Sequence, residues 1–289
     1  MTYQAIARRC RPQRFEEVVG QPHVTQTLQN AIRLGRIHHA FLFCGTRGVG
    51  KTTAARILAK ALNCEQGPAV NPCNECENCL EITRGGHPDV TEIDGASNNR
   101  VDDIRDLIET VRYLPSKSKY RIYIIDEVHM VTQQAFNALL KTLEEPPEHV
   151  IFVFATTEPQ KIPETVLSRC QRFDFKMLRQ RTIYERLHQI CEQEGLDIPE
   201  SVLMPIAREA AGSMRDGQSL LDQVLSFADG PITADRAAEI LGLVDRKLLH
   251  ELLRAVIYCY SDVQLRTYDQ ITQFRVDSRT LPNELFTLL

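Results

Sequence analysis

Gly45-Thr46-Arg47-Gly48-Val49-Gly50-Lys51-Thr52 decides the fold, because it fits G-x-x-x-x-G-K-[ST] in full. Glycines at these places let the backbone turn tightly and aim several N–H groups at an anion. The apolar run Ala40 to Cys44 precedes the loop and reads as a strand. Thr53 to Leu62 follows with helical periodicity and good helix formers. The helix therefore starts where the anion would sit, with its positive end toward it. Residues Gly45 to Thr53 would cradle a nucleoside triphosphate, with Lys51 on the β- and γ-phosphates and Thr52 on Mg²⁺. The plain alternative is a glycine-rich turn that matches by chance, and the strand–loop–helix context speaks against it.

Further along, Arg121 to Ile125 reads as a buried strand that ends in the acidic pair Asp126-Glu127. Open α/β sheets place their ligands at the C-terminal ends of strands. Asp126 would hold Mg²⁺ through water, and Glu127 would orient and polarise an attacking water. Two carboxylates beside a triphosphate call for a cation, so Mg²⁺ is implied by charge. His129 completes Asp-Glu-Val-His, a run that also occurs in helicases, and reads as a packing or linking residue.

Helix and strand alternate around these motifs. Val24 to Leu34, Val101 to Arg112 and Gln133 to Leu143 have helical apolar stripes; Asp89 to Ile93 and Val150 to Ala155 read as strands. This alternation predicts a parallel sheet covered by helices. Beyond Phe175 strands disappear. Gln180 to Glu194, Glu200 to Ala211, Asp216 to Ala228 and Thr233 to Leu241 read as helices, with Thr233 as an N-cap, and the chain reads helical again from Asp245. The expected domains are 1–178, 179–243 and 244–289.

A chain of 289 residues suggests roughly two domains of ~150 residues and buries a core without disulfides. No apolar run approaches the ~20 residues of a membrane span, and Met1 to Arg14 lacks a signal-peptide pattern, so a cytoplasmic protein is expected. The net charge of −4 does not advertise nucleic-acid binding, although a local basic stripe suffices for it. Four of the nine cysteines form Cys64-x8-Cys73-x2-Cys76-x2-Cys79. In a reducing compartment that spacing predicts tetrahedral Zn²⁺, and four protein ligands make the site structural.

Ser168-Arg169-Cys170, Ala155-Thr156-Thr157, Gly212-Ser213-Met214-Arg215-Asp216 and Asn137 to Pro147 all stand in the pattern of AAA+ clamp-loader subunits. The cysteine module after the phosphate-loop helix narrows the likeness. The chain resembles the gamma/tau family of bacterial DNA polymerase III clamp loaders from Met1 to about Leu243. The resemblance implies an AAA+ P-loop domain with an inserted zinc module near 64–79, an all-helical lid, and the start of a helical collar that the chain does not complete. It implies an ATPase within a DNA-directed DNA polymerase assembly, which opens a sliding clamp and loads it on primed DNA. By the same likeness Arg169 would act in trans on a neighbour's ATP, Thr157 (or Thr156) would sense the γ-phosphate, and Arg215 would touch it from the lid. Tyr3, Arg11, Pro12, Val18 and Val19 would border the adenine; Cys10 stands where the family usually has Trp. The implied partners are other subunits in a hetero-pentamer, the clamp, primed DNA, and, through a longer C-terminal region, polymerase core and helicase. Asn98, Asn99, Arg100, Arg105 and Lys141 are candidates for DNA phosphate contacts at helix starts. Two other functions compete. A non-hydrolysing scaffold subunit would have lost loop or acidic residues that are intact here; a helicase would need a second motor half.

Overall fold

Strand β1 (Ala40–Cys44) shows why a parallel sheet forms. Its run Ala-Phe-Leu-Phe-Cys is buried throughout, and successive side chains go to opposite faces. Phe41 and Phe43 enter one apolar core, while Ala40, Leu42 and Cys44 enter another. A strand apolar on both faces needs helices on both. The computed structural model describes residues 5–227, 232–242 and 246–273. In it β2 (Val90–Asp94), β3 (Arg121–Asp126), β4 (Val150–Thr156) and β5 (Gln171–Asp174) join β1 in one sheet of order β2-β3-β4-β1-β5. All four pairings are parallel.

On one face lie α2 (Pro22–Arg33) and α3 (Lys51–Asn63), whose Leu28, Ile57, Leu58 and Leu62 share a core with Phe43, Ile124 and Val153. On the other lie α5 (Val101–Val111) and α6 (Gln133–Glu144), whose Ile104, Leu107, Phe136 and Leu139 pack with Tyr123, Phe152 and Phe154. Thr132 caps α6 by accepting from the Ala135 N–H.

Two elements depart from the sequence expectation. Gln171–Asp174 is a fifth strand at the sheet edge, paired with β1. The cysteine segment is irregular only to Cys76; from Glu77 to Arg84 it forms α4, with the Cys76 sulfur accepting from the Cys79 N–H at the N-cap.

The second layer is helical, as expected. α8 (Gln180–Gln193), α9 (Glu200–Glu209), α10 (Met214–Phe227) and α11 (Ala234–Leu241) enclose Ile183, Leu187, Ile206, Leu221 and Val224. Thr233 is the N-cap of α11. The short α1 (Ile6–Arg9) plants Ile6 in this core, and its N–H donates to Asp222 Oδ2. The start of the described chain thus rests on the helical layer. α12 (Arg246–Ile257) and α13 (Ser261–Gln273) pack on each other, while Ile257, Tyr258, Tyr260 and Leu265 stay exposed. The rest of the expected third region, 274–289, lies outside the described residues.

Candidate functional site: a cationic nucleotide pocket

The C-terminal ends of β1, β3 and β4 meet at the mouth of the sheet. Register places Cys44 beside Thr156, and the Gly45 N–H donates to the Thr156 carbonyl at 3.2 Å. The loop 45–50 therefore leaves the sheet next to the strand that ends in Thr156-Thr157. Gly48 has φ +76° and its carbonyl accepts from the Met214 N–H at 3.1 Å, tying the loop to the first turn of α10.

Lys51 opens α3 and is buried. Its ammonium donates to the carbonyls of Gly45 at 2.8 Å and Thr46 at 2.9 Å. Burial lowers its pKa, and the nearby carboxylates Glu127 and Asp126 push it back up. Thr52 Oγ1 donates to Asp126 Oδ2 at 2.6 Å, so the two expected Mg²⁺ holders already converge. A hydroxyl and a carboxylate oxygen at this separation are hard oxygen donors of the kind Mg²⁺ takes, alongside phosphate and water.

Glu127 has φ +46°, a left-handed position outside the strand. Its Oε2 accepts from Thr157 Oγ1 at 3.0 Å and from the Thr157 N–H at 3.3 Å. His129 links the same groups: Nδ1 lies 3.1 Å from Thr156 Oγ1 and 3.4 Å from Glu127 Oε2, and Nε2 lies 3.3 Å from Glu158 Oε1. It is a linking residue, as the sequence suggested.

These groups edge a cavity of about 570 Å³. Arg11, Pro12, Val18 and Val19 form one wall, residues Arg47 to Thr53 the floor, and Met214, Arg215 and Gln218 of the lid another wall. Tyr3 lies outside the described residues. Arg11 Nε donates to Thr53 Oγ1 at 3.2 Å, and burial together with Arg56 brings its pKa down to about 10. The lining holds Arg8, Arg11, Arg47, Lys51, Arg56, Lys60, Arg84, Arg186 and Arg215 against the two carboxylates Asp126 and Glu127. Such an excess of positive charge selects a polyanion. The sequence reading missed Arg8, Arg56, Lys60, Arg84 and Arg186. Arg56 and Lys60 follow Lys51 along α3, while Arg8 of α1, Arg84 of α4 and Arg186 of α8 are brought to the pocket by the fold and belong to no local motif.

Arg169 is not in that lining. It precedes β5, whose Gln171 pairs with Phe41 near the start of β1, and its neighbour His39 precedes that strand. Arg169 therefore sits at the N-terminal edge of the sheet, while the phosphate loop leaves the C-terminal edge about 15 Å away at ~3.3 Å per residue. Its guanidinium donates to Glu144 Oε1 at 2.6 Å, the Thr165 carbonyl at 2.7 Å and Ser168 Oγ at 3.1 Å.

The sulfurs of Cys64, Cys73, Cys76 and Cys79 all lie within 4.8 Å of one another, and those of Cys73 and Cys79 are 3.9 Å apart. Tetrahedral Zn–S bonds of ~2.3 Å require sulfurs about 3.8 Å apart, so the four fit the ion. The Cys73 sulfur accepts from the Cys76 and Glu75 N–H groups, which bring its pKa down to about 6 and favour the thiolate. Of the DNA candidates, Arg100 and Arg105 are exposed at the start of α5, Arg105 pairing with Asp102. Lys141 is exposed but lies in the last turn of α6, not at a helix start.

A phosphate loop, an acidic pair on the next-but-one strand and an arginine-bearing helical lid define a P-loop nucleotide-binding domain of the AAA+ arrangement. Thermotoga maritima RuvB, a Holliday junction branch migration motor, shares this fold with a TM-score of 0.59 at 19% identity, over 87% of this chain and 80% of that one. The chain itself belongs to the clamp-loader subunit family of bacterial DNA polymerase III. A family described as DNA polymerase III, delta subunit, matches residues 20–179, and the ATPase lid domain of DNA polymerase III clamp-loader subunits matches 182–230. DNA polymerase III subunit tau of Bacillus subtilis is 50% identical over 99% of this chain and 51% of its own length; that of Escherichia coli is 45% identical over 100% and 45%. The gamma subunit of Buchnera aphidicola is 42% identical over 100% of this chain and 80% of its own. The chain spans about half the length of the tau relatives.

Proposed function

We propose that this chain is an ATP-hydrolysing motor subunit of a DNA polymerase III clamp loader, working in the cytoplasm inside a hetero-pentamer. The observation that carries the reading is the convergence of Lys51, Thr52, Asp126, Glu127 and Arg215 on one strongly cationic pocket. Arg11, Pro12, Val18 and Val19 line its far wall, where the base would lie. Thr52 and Asp126 would hold Mg²⁺, which when bound neutralises phosphate charge. Lys51 exchanges its loop carbonyls for β- and γ-phosphate oxygens. Glu127, held by Thr157, orients the water whose oxygen attacks the γ-phosphorus as the bond to the β-phosphate oxygen breaks, giving ADP and phosphate. Arg215 contacts the γ-phosphate from α10, so the lid angle follows the nucleotide state. Arg169 serves a neighbouring subunit's site.

The domains run 1–178 for the nucleotide-binding part, 179–243 for the lid and 244–289 for the start of a collar. Residues 64–79 form a structural Zn²⁺ module. Arg100, Arg105 and Lys141 are proposed phosphate contacts for primed DNA, with the sliding clamp as the loaded partner. Polymerase core and helicase would be reached through a longer C-terminal region if one is present.

The test is reconstitution with the remaining clamp-loader subunits. ATP turnover stimulated by clamp and primed DNA is expected, and Lys51→Ala in this subunit should remove its share. Turnover indifferent to clamp, DNA and Lys51→Ala would overturn the assignment.

A further inference from the structure

Lys60 is a fully buried lysine with no carboxylate in contact. The residue is 1% exposed, and its ammonium donates to three neutral oxygens: Gln13 Oε1 at 2.6 Å, Asn74 Oδ1 at 2.7 Å and the Gln13 carbonyl at 3.1 Å. Burying a charge on neutral acceptors is costly, so the site must hold its geometry closely to keep all three bonds. The three oxygens belong to two segments with no other polar link through this residue. Asn74 lies between the ligand positions Cys73 and Cys76 and adopts φ +63°. Gln13 follows the base-side wall: its Nε2 donates to the Arg11 carbonyl at 2.9 Å, and Arg11 in turn bonds Thr53 beside the phosphate loop. Lys60 itself stands on α3, the helix that begins with Lys51. Thr83 Oγ1 of α4 lies 3.2 Å from Gln13 Oε1, a second contact from the cysteine module to the same side chain.

We infer that Lys60 is a positioning residue through which the ordered cysteine module fixes Arg11 and Pro12, and so sets nucleotide affinity. The inference rests on the nucleotide and zinc readings above. The thiolate cluster orders the 73–76 turn, the turn presents Asn74, and Lys60 passes that order to Gln13. Losing the cluster frees Asn74 and leaves a buried ammonium short of one acceptor, which loosens the base-side wall. The coupling joins two ligands that never touch.

The test uses a fluorescent ADP analogue with Mg²⁺, titrated into the full chain before and after zinc is removed with a zinc-selective chelator that spares Mg²⁺. Zinc content and thermal unfolding are measured on each sample. Removal should weaken wild-type nucleotide affinity about tenfold, within the usual range of coupling between sites. Asn74→Gly, which keeps the left-handed backbone available, should hold zinc and the fold yet bind nucleotide as weakly as the stripped wild type. Stripping that variant should change its affinity by no more than about twofold, the scatter of independent effects. Lys60→Met should behave alike. Wild-type affinity in zinc-loaded Asn74→Gly, or equal weakening of wild type and variant on stripping, overturns the coupling while leaving the pocket assignment standing. A wild type that binds no nucleotide at all overturns the pocket assignment itself.

Discussion

Asp89 takes no part in nucleotide chemistry, yet few side chains here are so fully enclosed by protein donors. It is 0% exposed and accepts from the N–H groups of Ser116, Lys117 and Ser118 and from the hydroxyls of Ser116 and Ser118. Burial pushes its carboxyl up, but these donors outweigh burial and hold it below the ordinary carboxylate range. A carboxyl depressed on folding stabilises above its unfolded pKa and loses that stabilisation as pH falls through the folded one. Asp89→Asn should therefore lose about 3 kcal/mol at neutral pH, since an amide cannot satisfy the same donors. The gap from wild type should narrow as pH falls below about 4, where the unfolded carboxyl takes up a proton that the folded one still resists, and close once pH has passed through the folded pKa. Urea melts at pH 7 and pH 3 measure it, and an unchanged gap would refute the argument. Glu127 is the opposite case, a carboxylate at the pocket to which the proposed function gives a chemical role. Its left-handed backbone and its bonds from Thr157 aim it away from the strand. Glu127→Gln should cut turnover in the assembled complex by roughly 100-fold or more while leaving nucleotide affinity close to wild type. Comparable losses in both would mean that Glu127 serves binding instead.

At the scale of elements, the phosphate loop packs directly against the start of the lid helix α10. A methyl group on Gly48 would lie 1.9 Å from Ser213 Oγ and 3.2 Å from Arg215 Cβ, at a φ of +76° that side chains resist. Gly48→Ala should push the loop and α10 apart and weaken ADP by about tenfold or more, with the sheet intact by circular dichroism. Unchanged affinity would show that the lid does not need this contact. The sequence announces the loop, the acidic pair, the cysteine cluster and most helices, because each is a local pattern. It does not announce β5. Gln171-Arg172-Phe173-Asp174 is a four-residue edge strand with one buried side chain, too short and too polar to carry a period. Nor does it announce α4, whose helix start is hidden by the cysteines that cap it. Strand order is likewise absent from local pattern: β1, first in the chain, lies between β4 and β5 only because the fold inserts it there. The cations that other helices bring to the pocket, Arg84 and Arg186 among them, are equally invisible to local pattern.

For the whole molecule, the decisive fact is that its phosphate loop and Arg169 occupy opposite edges of one sheet. No rotation of a single side chain spans the strand between them, so Arg169 cannot complete the site of its own chain. Glu144 and the Thr165 carbonyl hold it at its edge of the sheet, and on the proposed reading a neighbour's pocket would meet it. One substitution should then give two results that depend on company. In the isolated chain, expected to bind nucleotide but to turn it over slowly, Arg169→Ala should leave the rate unchanged. In the assembled complex the same change should cost about a thousand-fold at the site it faces, the usual worth of such an arginine. Arg169→Lys should not restore that rate, because a point charge cannot reproduce the planar fork that grips phosphate. Single-turnover hydrolysis, measured on the chain alone and within the complex, separates the two contexts. A loss in the isolated chain would mean that the arginine acts within its own subunit and would overturn the assignment in trans.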